Sequence, residues 1–388
     1  MKVVVIGAGL AGLAAACHLT GAGHQVTIIE REAHPGGRAG TLTQDGFRFD
    51  TGPTVFTMPA FLEQALAAVG AGVATHVPMR RLDPAYRARF ADGSVIDVRA
   101  GVPAMREEIA RTSSPRDAAA FDDFVRWLED LNDVEVPHFI DRNYDSPAGL
   151  LARPAAAARL LRLGAFGRFG RVVESRFADP RLHRLFSFQA MYAGLAPDRA
   201  LAVYALITYM DSIAGVYAPE GGMHAVPRAM AAAVTAAGAE LHLNRTVTKV
   251  LRMPNGQVGG VECADGERVR ADAVVCTLDP PVARRTVLAG LNVAQPRRRE
   301  RFSPSAVVLH LGVRGSVAGD VRHHNIHFGE DWAPAFADLL DRGRLMGDPS
   351  RMVCVPSLDD PGAAPPGHAT LYVLEPVPNL DASRIDWV

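Results

Sequence analysis

The first forty residues constrain the fold of this 388-residue chain more than any other stretch. Residues 2–6 are an apolar, β-branched run that is typical of a buried parallel strand. Residues 13–21 have the alanine and leucine content of a helix. Between them lie Gly7, Gly9 and Gly12, which have G-x-G-x-x-G spacing. A strand, a glycine turn and a helix in this order predict an α/β domain with a nucleotide site.

The three glycines each have a different physical task. Gly7 permits a tight turn, Gly9 lets the backbone approach a pyrophosphate, and Gly12 lets the helix pack closely on the strand. The helix N-terminus then offers free N–H groups and the positive end of its dipole to phosphates. The next strand, residues 25–30, ends at Glu30, which is placed to accept hydrogen bonds from ribose hydroxyls.

These residues together predict a dinucleotide-binding site. One alternative is a close-packed strand, turn and helix without a ligand. Another is a secretory signal, because Lys2 precedes an uncharged stretch. Three glycines in that stretch, and a strand directly after it, argue against a cleaved signal.

The composition excludes several other classes of protein. A net charge of −1 gives no electrostatic case for nucleic-acid binding. A hydrophobic content of 48% fits a folded globular protein, and the length suggests two domains. The four cysteines form no C-x-x-C pair, which favours reduced thiols in the cytoplasm. No uncharged apolar run after the N-terminus approaches the ~18 residues of a membrane-spanning helix, so we expect at most a peripheral membrane contact.

A second glycine element follows shortly after Glu30. Gly36, Gly37 and Arg38 suit a loop that passes close to a ligand and adds a fixed positive charge to a phosphate. With the residues above, this element resembles the extended FAD-binding motif of the amine-oxidase and carotenoid-desaturase flavoproteins. Those desaturases carry a D-x-G-P-T segment beside the flavin, and the matching residues here are Asp50, Thr51, Gly52, Pro53 and Thr54. The resemblance implies FAD, rather than NAD, as the resident cofactor.

A second block of the chain is similar to phytoene desaturases of the bacterial and fungal type. The similar segments are residues 179–189, 192–197 and 219–223. The resemblance implies FAD-dependent desaturation of a carotenoid precursor, phytoene towards lycopene, by hydride transfer to the flavin. The alternatives are a hydroxycarotenoid desaturase, another amine-oxidase-like flavin oxidoreductase, and a truncated flavin-binding remnant without turnover. The substrate would be a lipophilic polyene, and the sequence leaves the oligomeric state open.

The resemblance also implies a domain organisation. The fold class is α/β: a Rossmann-type FAD-binding domain with an inserted α+β substrate domain and a helical, membrane-associated region. We assign residues 1–75 and 221–300 to the FAD domain, and residues 76–220 and 301–388 to the substrate and membrane-facing domain. Val247 matches the strand position that contacts the adenine in this class. No stretch of the chain matches the family's C-terminal flavin-contacting segment, so we expect the adenine end of FAD to be held better than the flavin ring.

Residues 150–173 are the predicted membrane-facing region. A basic, apolar helix is typical of a membrane interface. At helical spacing, however, the arginines do not gather on one face, and three glycines weaken a continuous helix. A solvated helix and a membrane-facing helix both remain open, although the resemblance implies a peripheral membrane location. The arginines are Arg153, Arg159, Arg162, Arg168 and Arg171.

Asp179 and His183 are the candidate acid–base pair. They are four residues apart and share a helix face if this segment is helical. The resemblance implies a role in handling the proton that desaturation releases, although it predicts arginine at position 183. The alternative is a surface i,i+4 pair worth roughly a few tenths of a kcal/mol. His323, His324 and His327 match no metal-binding motif, so we predict no metal.

Overall fold

The computed structural model describes residues 1–143, 149, 153–293, 301–317, 319–383 and 385–387. The chain divides into two compact units. Unit 1 comprises Met1–Arg80, Tyr217–Glu300 and Asp360–Pro365, and unit 2 comprises Arg81–Val216, Arg301–Asp359 and Pro366–Val388.

The short return of the chain to unit 1 differs from the predicted domain boundaries. Residues 360–365 were assigned to the substrate domain, whereas the structure places them in unit 1. The reason is local, because Asp360 forms an ion pair with Arg48 and Pro365 lies against Gly46. Which ligand each unit holds stays a prediction.

The strands and helices are numbered in chain order. The strands are β1 (Lys2–Ile6), β2 (Gln25–Ile29), β3 (Thr41–Gln44), β4 (Phe47–Asp50), β5 (Met79–Arg81), β6 (Tyr86–Arg89), β7 (Val95–Val98), β8 (Tyr217–Pro219), β9 (Glu240–His242), β10 (Val247–Arg252), β11 (Val258–Cys263), β12 (Arg268–Arg270), β13 (Ala273–Cys276), β14 (Ser305–Arg314), β15 (His324–His327), β16 (Arg351–Cys354) and β17 (His368–Val377). The helices are α1 (Leu10–Gly21), α2 (Pro59–Ala67), α3 (Val73–His76), α4 (Val102–Thr112), α5 (Pro115–Glu135), α6 (Pro154–Arg162), α7 (Phe169–Glu174), α8 (Pro180–Leu185), α9 (Ala205–Thr208), α10 (Ala225–Ala236), α11 (Pro280–Arg285) and α12 (Ala333–Ala337).

Unit 1 is built on a four-stranded parallel sheet with the order β13-β1-β2-β9. Val5 and Ile28 point to one face, where they pack with residues of α1, α2 and α10. Val4, Ile6 and Ile29 point to the other face, where they pack with β10, β11 and α11. Because both faces are covered, these strands are continuous apolar runs in the sequence. The chain returns to this sheet through β13, which pairs in parallel with β1.

Unit 2 contains a mixed six-stranded sheet with the order β14-β17-β16-β15-β6-β7. Only the β15–β6 pair is parallel among the strand pairs described for this sheet. β6 and β7 form the antiparallel hairpin that Asp92-Gly93 predicts, and Gly93 has the positive φ that such a turn requires.

The long helix α5 organises the helical core of unit 2. It begins after Ser114, whose Oγ accepts a hydrogen bond from the Asp117 N–H at 3.1 Å. Its residues Phe121 and Phe124 are fully buried, as their helical spacing predicts. Both rings lie within 5.6 Å of the ring of Phe186, centroid to centroid. These aromatic rings are therefore core, not part of a cofactor site.

The predicted membrane-facing region contains two short helices instead of one long one. α6 ends before Gly164, and α7 begins after Gly167 and Arg168, in agreement with the weakening effect of glycine. Residues 150–152 lie outside the described residues. Within the described ranges, none of the helices combines the length and the apolar character that crossing a membrane requires.

The aromatic core of unit 2 gives a test of stability. Replacing Phe124 by Ala removes a fully buried ring and should lower the free energy of unfolding by about 3–5 kcal/mol. Phe166→Ala is the matched control, because its ring is half exposed and its loss should change stability by less than about 0.5 kcal/mol. Urea unfolding followed by tryptophan fluorescence measures both. Equal losses of stability would contradict this description of the core.

Candidate functional site

The two predicted glycine loops lie edge to edge in unit 1. The Gly36 N–H donates to the Ala8 carbonyl at 2.8 Å, and Gly9 pairs with Gly36 as a parallel bridge. Gly36 has a φ of 127°, which a residue with a side chain rarely adopts. A Cβ on Gly37 would lie 3.2 Å from the Gly9 Cα, so bare backbone faces bare backbone. The structure thus brings the two motifs together, as the FAD prediction requires.

The first loop stands at the carboxyl ends of two neighbouring parallel strands. β1 leads into Gly7, and β13 leads into Thr277, whose Oγ1 donates to the Ile6 carbonyl at 2.8 Å. The chain leaves β1 towards β2 on one side, while β13 lies on the other, so this is a topological switch point. Ligands of open α/β sheets bind in the crevice at such a point. A Cβ on Gly12 would lie 2.0 Å from the Gly7 carbonyl oxygen, which shows how closely α1 packs under the loop.

Glu30 is buried directly behind this loop. Its Oε2 accepts a hydrogen bond from the Ala8 N–H at 2.7 Å, and its Oε1 accepts one from the Glu32 N–H at 3.0 Å. Two backbone donors therefore hold the carboxylate in one orientation. Each oxygen retains a lone pair for a further donor, such as a ribose hydroxyl.

Arg38 and Asp279 form an ion pair beside the same crevice. The Arg38 side chain is 86% exposed, so this pair contributes little to stability. The guanidinium is therefore free to exchange its partner for a phosphate, which it can bind through two parallel hydrogen bonds.

Residues 244 and 245, just before β10, lie alongside the backbone of Glu30 and Glu32. The Arg245 N–H donates to the Glu30 carbonyl at 2.8 Å, and the Asn244 N–H donates to the Glu32 carbonyl at 2.9 Å. Val247 is buried and packs with Ile29 in the core. Any contact between Val247 and an adenine would therefore come from its backbone.

Asp50 links the predicted D-x-G-P-T segment to the start of α10. Its carboxylate accepts hydrogen bonds from the Met223 N–H at 3.0 Å and the His224 N–H at 3.4 Å, where a helix N-terminus has unpaired donors. Burial raises the pKa of Asp50, although these two backbone donors lower it in part. His224 in turn donates from Nδ1 to the Ala39 carbonyl at 2.8 Å, directly after the second glycine loop.

The remaining residues of that segment lie on the second glycine loop. The Thr51 N–H donates to the Gly40 carbonyl at 3.1 Å, and Gly52 lies against the Arg38 carbonyl. Pro53 is exposed and Thr54 is half-buried. All predicted cofactor residues are thus in unit 1, and a backbone cradle, an oriented carboxylate and an exposed arginine fit the adenosine diphosphate part of FAD.

A comparison with known protein families shows to which family this chain belongs. The model of the family described as flavin containing amine oxidoreductase matches residues 10–380. The chain belongs to the flavin containing amine oxidoreductase family. It is an FAD-dependent oxidoreductase, which confirms the cofactor that Gly36, Gly37 and Arg38 predict.

Relatives within this family are carotenoid desaturases. The chain is 50% identical to the phytoene dehydrogenase of Streptomyces griseus over 379 residues, 98% of this chain and 73% of that relative. It is 34% identical to the zeta-carotene-forming phytoene desaturase of Myxococcus xanthus over 387 residues, 100% of this chain and 74% of that relative. The crystal structure of an oxidoreductase from Methanosarcina mazei covers 98% of this chain, and the chain covers 80% of it, with a TM-score of 0.61 at 20% identity. The last match shows the fold, and the predicted α/β fold class is confirmed.

The predicted acid–base pair is in unit 2. Asp179 caps the N-terminus of α8, and its carboxylate accepts hydrogen bonds from the Arg181 backbone at 2.8 Å and the Arg181 guanidinium at 2.7 Å. Burial would raise the pKa of Asp179, but these hydrogen bonds outweigh it and lower the pKa. His183 donates from Nε2 to the Phe177 carbonyl at 2.8 Å. Each side chain is occupied by a partner other than its predicted one, and the catalytic role of the pair stays a prediction.

Two buried acids were missed by the sequence analysis. Glu135 is 2% exposed at the end of α5, and burial raises its pKa to about 8. Asp211 is 1% exposed in a π-helical turn, Tyr209–Ala214, and burial raises its pKa to about 7. The sequence contained a signal for Glu135. This acid continues the apolar helical spacing of Leu128 and Leu131, so it falls at a core position.

Glu30 gives a direct test of the dinucleotide site. Replacing it by Gln removes the charge that strengthens hydrogen bonds from ribose hydroxyls, so the Kd for FAD should rise roughly ten- to a hundredfold. Glu32→Gln is the matched control, because the Glu32 side chain is exposed and pairs with Arg31. Titration of the flavin-free protein with FAD, followed by flavin fluorescence, measures both. An unchanged Kd for Glu30→Gln would exclude Glu30 from the site.

Proposed function

We propose that this protein is a phytoene desaturase that acts at a membrane surface. The observation that carries the proposal is the 50% identity to a phytoene dehydrogenase over 98% of the chain. The reaction takes two hydrogens from neighbouring saturated carbons of a polyene. Such a substrate has no charged or carbonyl group, so the protein must bind it through apolar contacts.

The flavin supplies the hydride acceptor when it is bound. The residues proposed to hold its adenosine diphosphate part are Gly9, Gly36 and Arg38 for the phosphates, and Glu30 for the ribose. The backbone near Val247 is proposed to lie beside the adenine. Desaturation also releases a proton, which a suitably placed side chain of the protein can accept.

The proposed reaction is tested with purified protein, FAD and phytoene in lipid vesicles. We expect FAD-loaded protein to convert phytoene into more strongly conjugated polyenes, which chromatography with absorbance detection separates. The control is the same protein after removal of the flavin, which should form none. Flavin-loaded protein that forms no conjugated product under any redox condition supplied would contradict the proposal and favour a flavin-binding protein without turnover.

The proposed membrane contact is the region around α6 and α7. Ala156 and Leu160 of α6 are buried, while Leu161 is 69% exposed and Phe166 is 50% exposed. Exposed arginines, among them Arg162, lie beside these apolar side chains. Exposed apolar side chains next to cations suit the interface of an anionic bilayer. This combination supports a peripheral location.

The membrane contact is tested by sedimentation with anionic lipid vesicles. Leu161→Glu places a charge where an apolar group would enter the bilayer and should lower the bound fraction severalfold. Met253→Glu is the matched control, because Met253 is 49% exposed in unit 1 and should leave binding unchanged. Equal vesicle binding by wild type and Leu161→Glu would remove this region from the membrane contact.

A further inference from the structure

Unit 2 contains a network of four buried polar side chains that no predicted role uses. Asp211, Ser212, Gln189 and Tyr86 are each at most 4% exposed. The Ser212 hydroxyl donates to Asp211 Oδ1 at 2.7 Å, and the Gln189 amide approaches the same oxygen at 3.4 Å. The Tyr86 hydroxyl is 2.8 Å from Ser212 Oγ and 3.2 Å from Gln189 Nε2. The network therefore stabilises one oxygen of the Asp211 carboxyl.

The other oxygen of Asp211 has no such support. Among the residues that the structure describes, Oδ2 of Asp211 has no hydrogen-bond partner, and neither has Oε1 of Gln189. Leaving a buried polar atom unpaired costs about 1–3 kcal/mol, and natural proteins rarely do so without a function. Asp211 Oδ2 and Gln189 Oε1 thus place two unpaired polar atoms in one buried network, which makes this network a candidate for a functional role.

The carboxyl group of Asp211 can gain or lose a proton near neutral pH, because of its surroundings. Burial raises its pKa to about 7, and the donors Ser212 and Gln189 lower it in part. The titratable groups that act together with it are Tyr86 of β6 and Tyr192, both of which stay neutral at this pH. On α5, which packs against the π-helical turn, Glu129 and Asp133 act on Tyr209 instead. A base is most effective when its pKa lies near the working pH.

The surroundings of the network are apolar and aromatic. The ring of Phe188 packs edge-on against Tyr86 at 5.6 Å and against Tyr192 at 5.8 Å, centroid to centroid. Tyr192 is about half exposed as a residue, so the aromatic cluster that begins at Tyr86 extends to the surface. An aromatic wall of this kind suits a hydrocarbon substrate, which offers no polar group to bind.

We propose that Asp211 accepts the proton that desaturation releases, with Oδ2 as the receiving atom, while Ser212 and Gln189 hold Oδ1 and Tyr86 positions these two side chains. This inference rests on the proposed function and names a residue for its proton step. One substrate C–H bond would break, and its hydrogen would leave with the bonding electron pair as hydride, for which bound FAD would supply the acceptor. The neighbouring C–H bond breaks, its electron pair becomes the new carbon–carbon π bond, and its proton goes to Asp211.

Asp211 suits this step better than Asp179 does. The Asp179 carboxylate is bound by the Arg181 guanidinium through both oxygens, which weakens it as a base. Asp211 has no cation beside it in the described part of the chain, and one of its oxygens is free.

The test compares Asp211→Asn with Asp198→Asn, whose carboxylate is exposed in the same unit. Turnover of phytoene in vesicles by flavin-loaded protein should fall by about a hundredfold or more for Asp211→Asn and stay unchanged for Asp198→Asn. Asp179→Asn should retain most of its activity. Near wild-type turnover for Asp211→Asn would overturn the inference, and so would equal losses for Asp211→Asn and Asp198→Asn.

The pH profile separates proton acceptance from a structural role. The base must be ionised, so the turnover rate should rise with pH through the Asp211 pKa of about 7. Ser212→Ala removes a donor to the charged form, which raises the Asp211 pKa and should move this limb about one unit to higher pH. An unmoved limb in Ser212→Ala would overturn the inference even if Asp211→Asn failed to fold.

Infrared spectroscopy of the flavin-free protein gives a readout that does not depend on activity. Glu135, whose pKa burial raises to about 8, should contribute one carboxylic acid C=O band that remains in Asp211→Asn. A second band should titrate with a midpoint near pH 7 and be absent from that variant. Its persistence in that variant would contradict the assignment. Failure of the proposed function is distinguishable, because wild-type protein would then form no conjugated polyene at any pH, whereas failure of this inference alone leaves wild-type turnover intact.

Discussion

The contact between two glycine loops is the constraint on which the cofactor site depends. One backbone hydrogen bond, from the Gly36 N–H to the Ala8 carbonyl, aligns the second loop with the end of β1. Glu30 fixes the first loop from behind through the Ala8 N–H, and Asp50 and His224 fix the second through α10. Glycine at the meeting point leaves the backbone of both loops without side chains between it and a ligand. Residues distant in sequence thereby lie on one continuous stretch of bare backbone, where we propose that the phosphates bind.

The interior of unit 2 differs in chemical character from the loop region of unit 1. Its helical core is aromatic and apolar. Against this background, the buried carboxyl groups of Asp211 and Glu135 are costly, because burial disfavours their charged forms. Groups with strongly shifted pKa values cluster at functional sites.

The cofactor site could be predicted from the sequence because its motifs depend on local geometry. A strand that leads into spaced glycines has few other structures open to it, and β1, α1 and β2 lie where that pattern places them. The hydrogen bond from the His224 N–H to the Asp50 carboxylate could not be predicted, since it joins residues 174 positions apart. Asp211 was also missed, because its π-helical turn of six residues is too short for an apolar spacing of the kind that marks Glu135 as a core position. Asp179 shows the converse, since its spacing from His183 suggested a pair, whereas Arg181 is its partner.

We propose that unit 1 recognises FAD through the adenosine end of the cofactor. Titration calorimetry of the flavin-free protein with FAD, and separately with FMN, tests this recognition, because FMN contains the flavin ring and lacks the adenosine half. FAD should bind with one molecule per chain, and FMN should show no saturable binding at the same concentrations. Equal affinity for FMN and FAD, or no binding of FAD, would rule out recognition through the adenosine end.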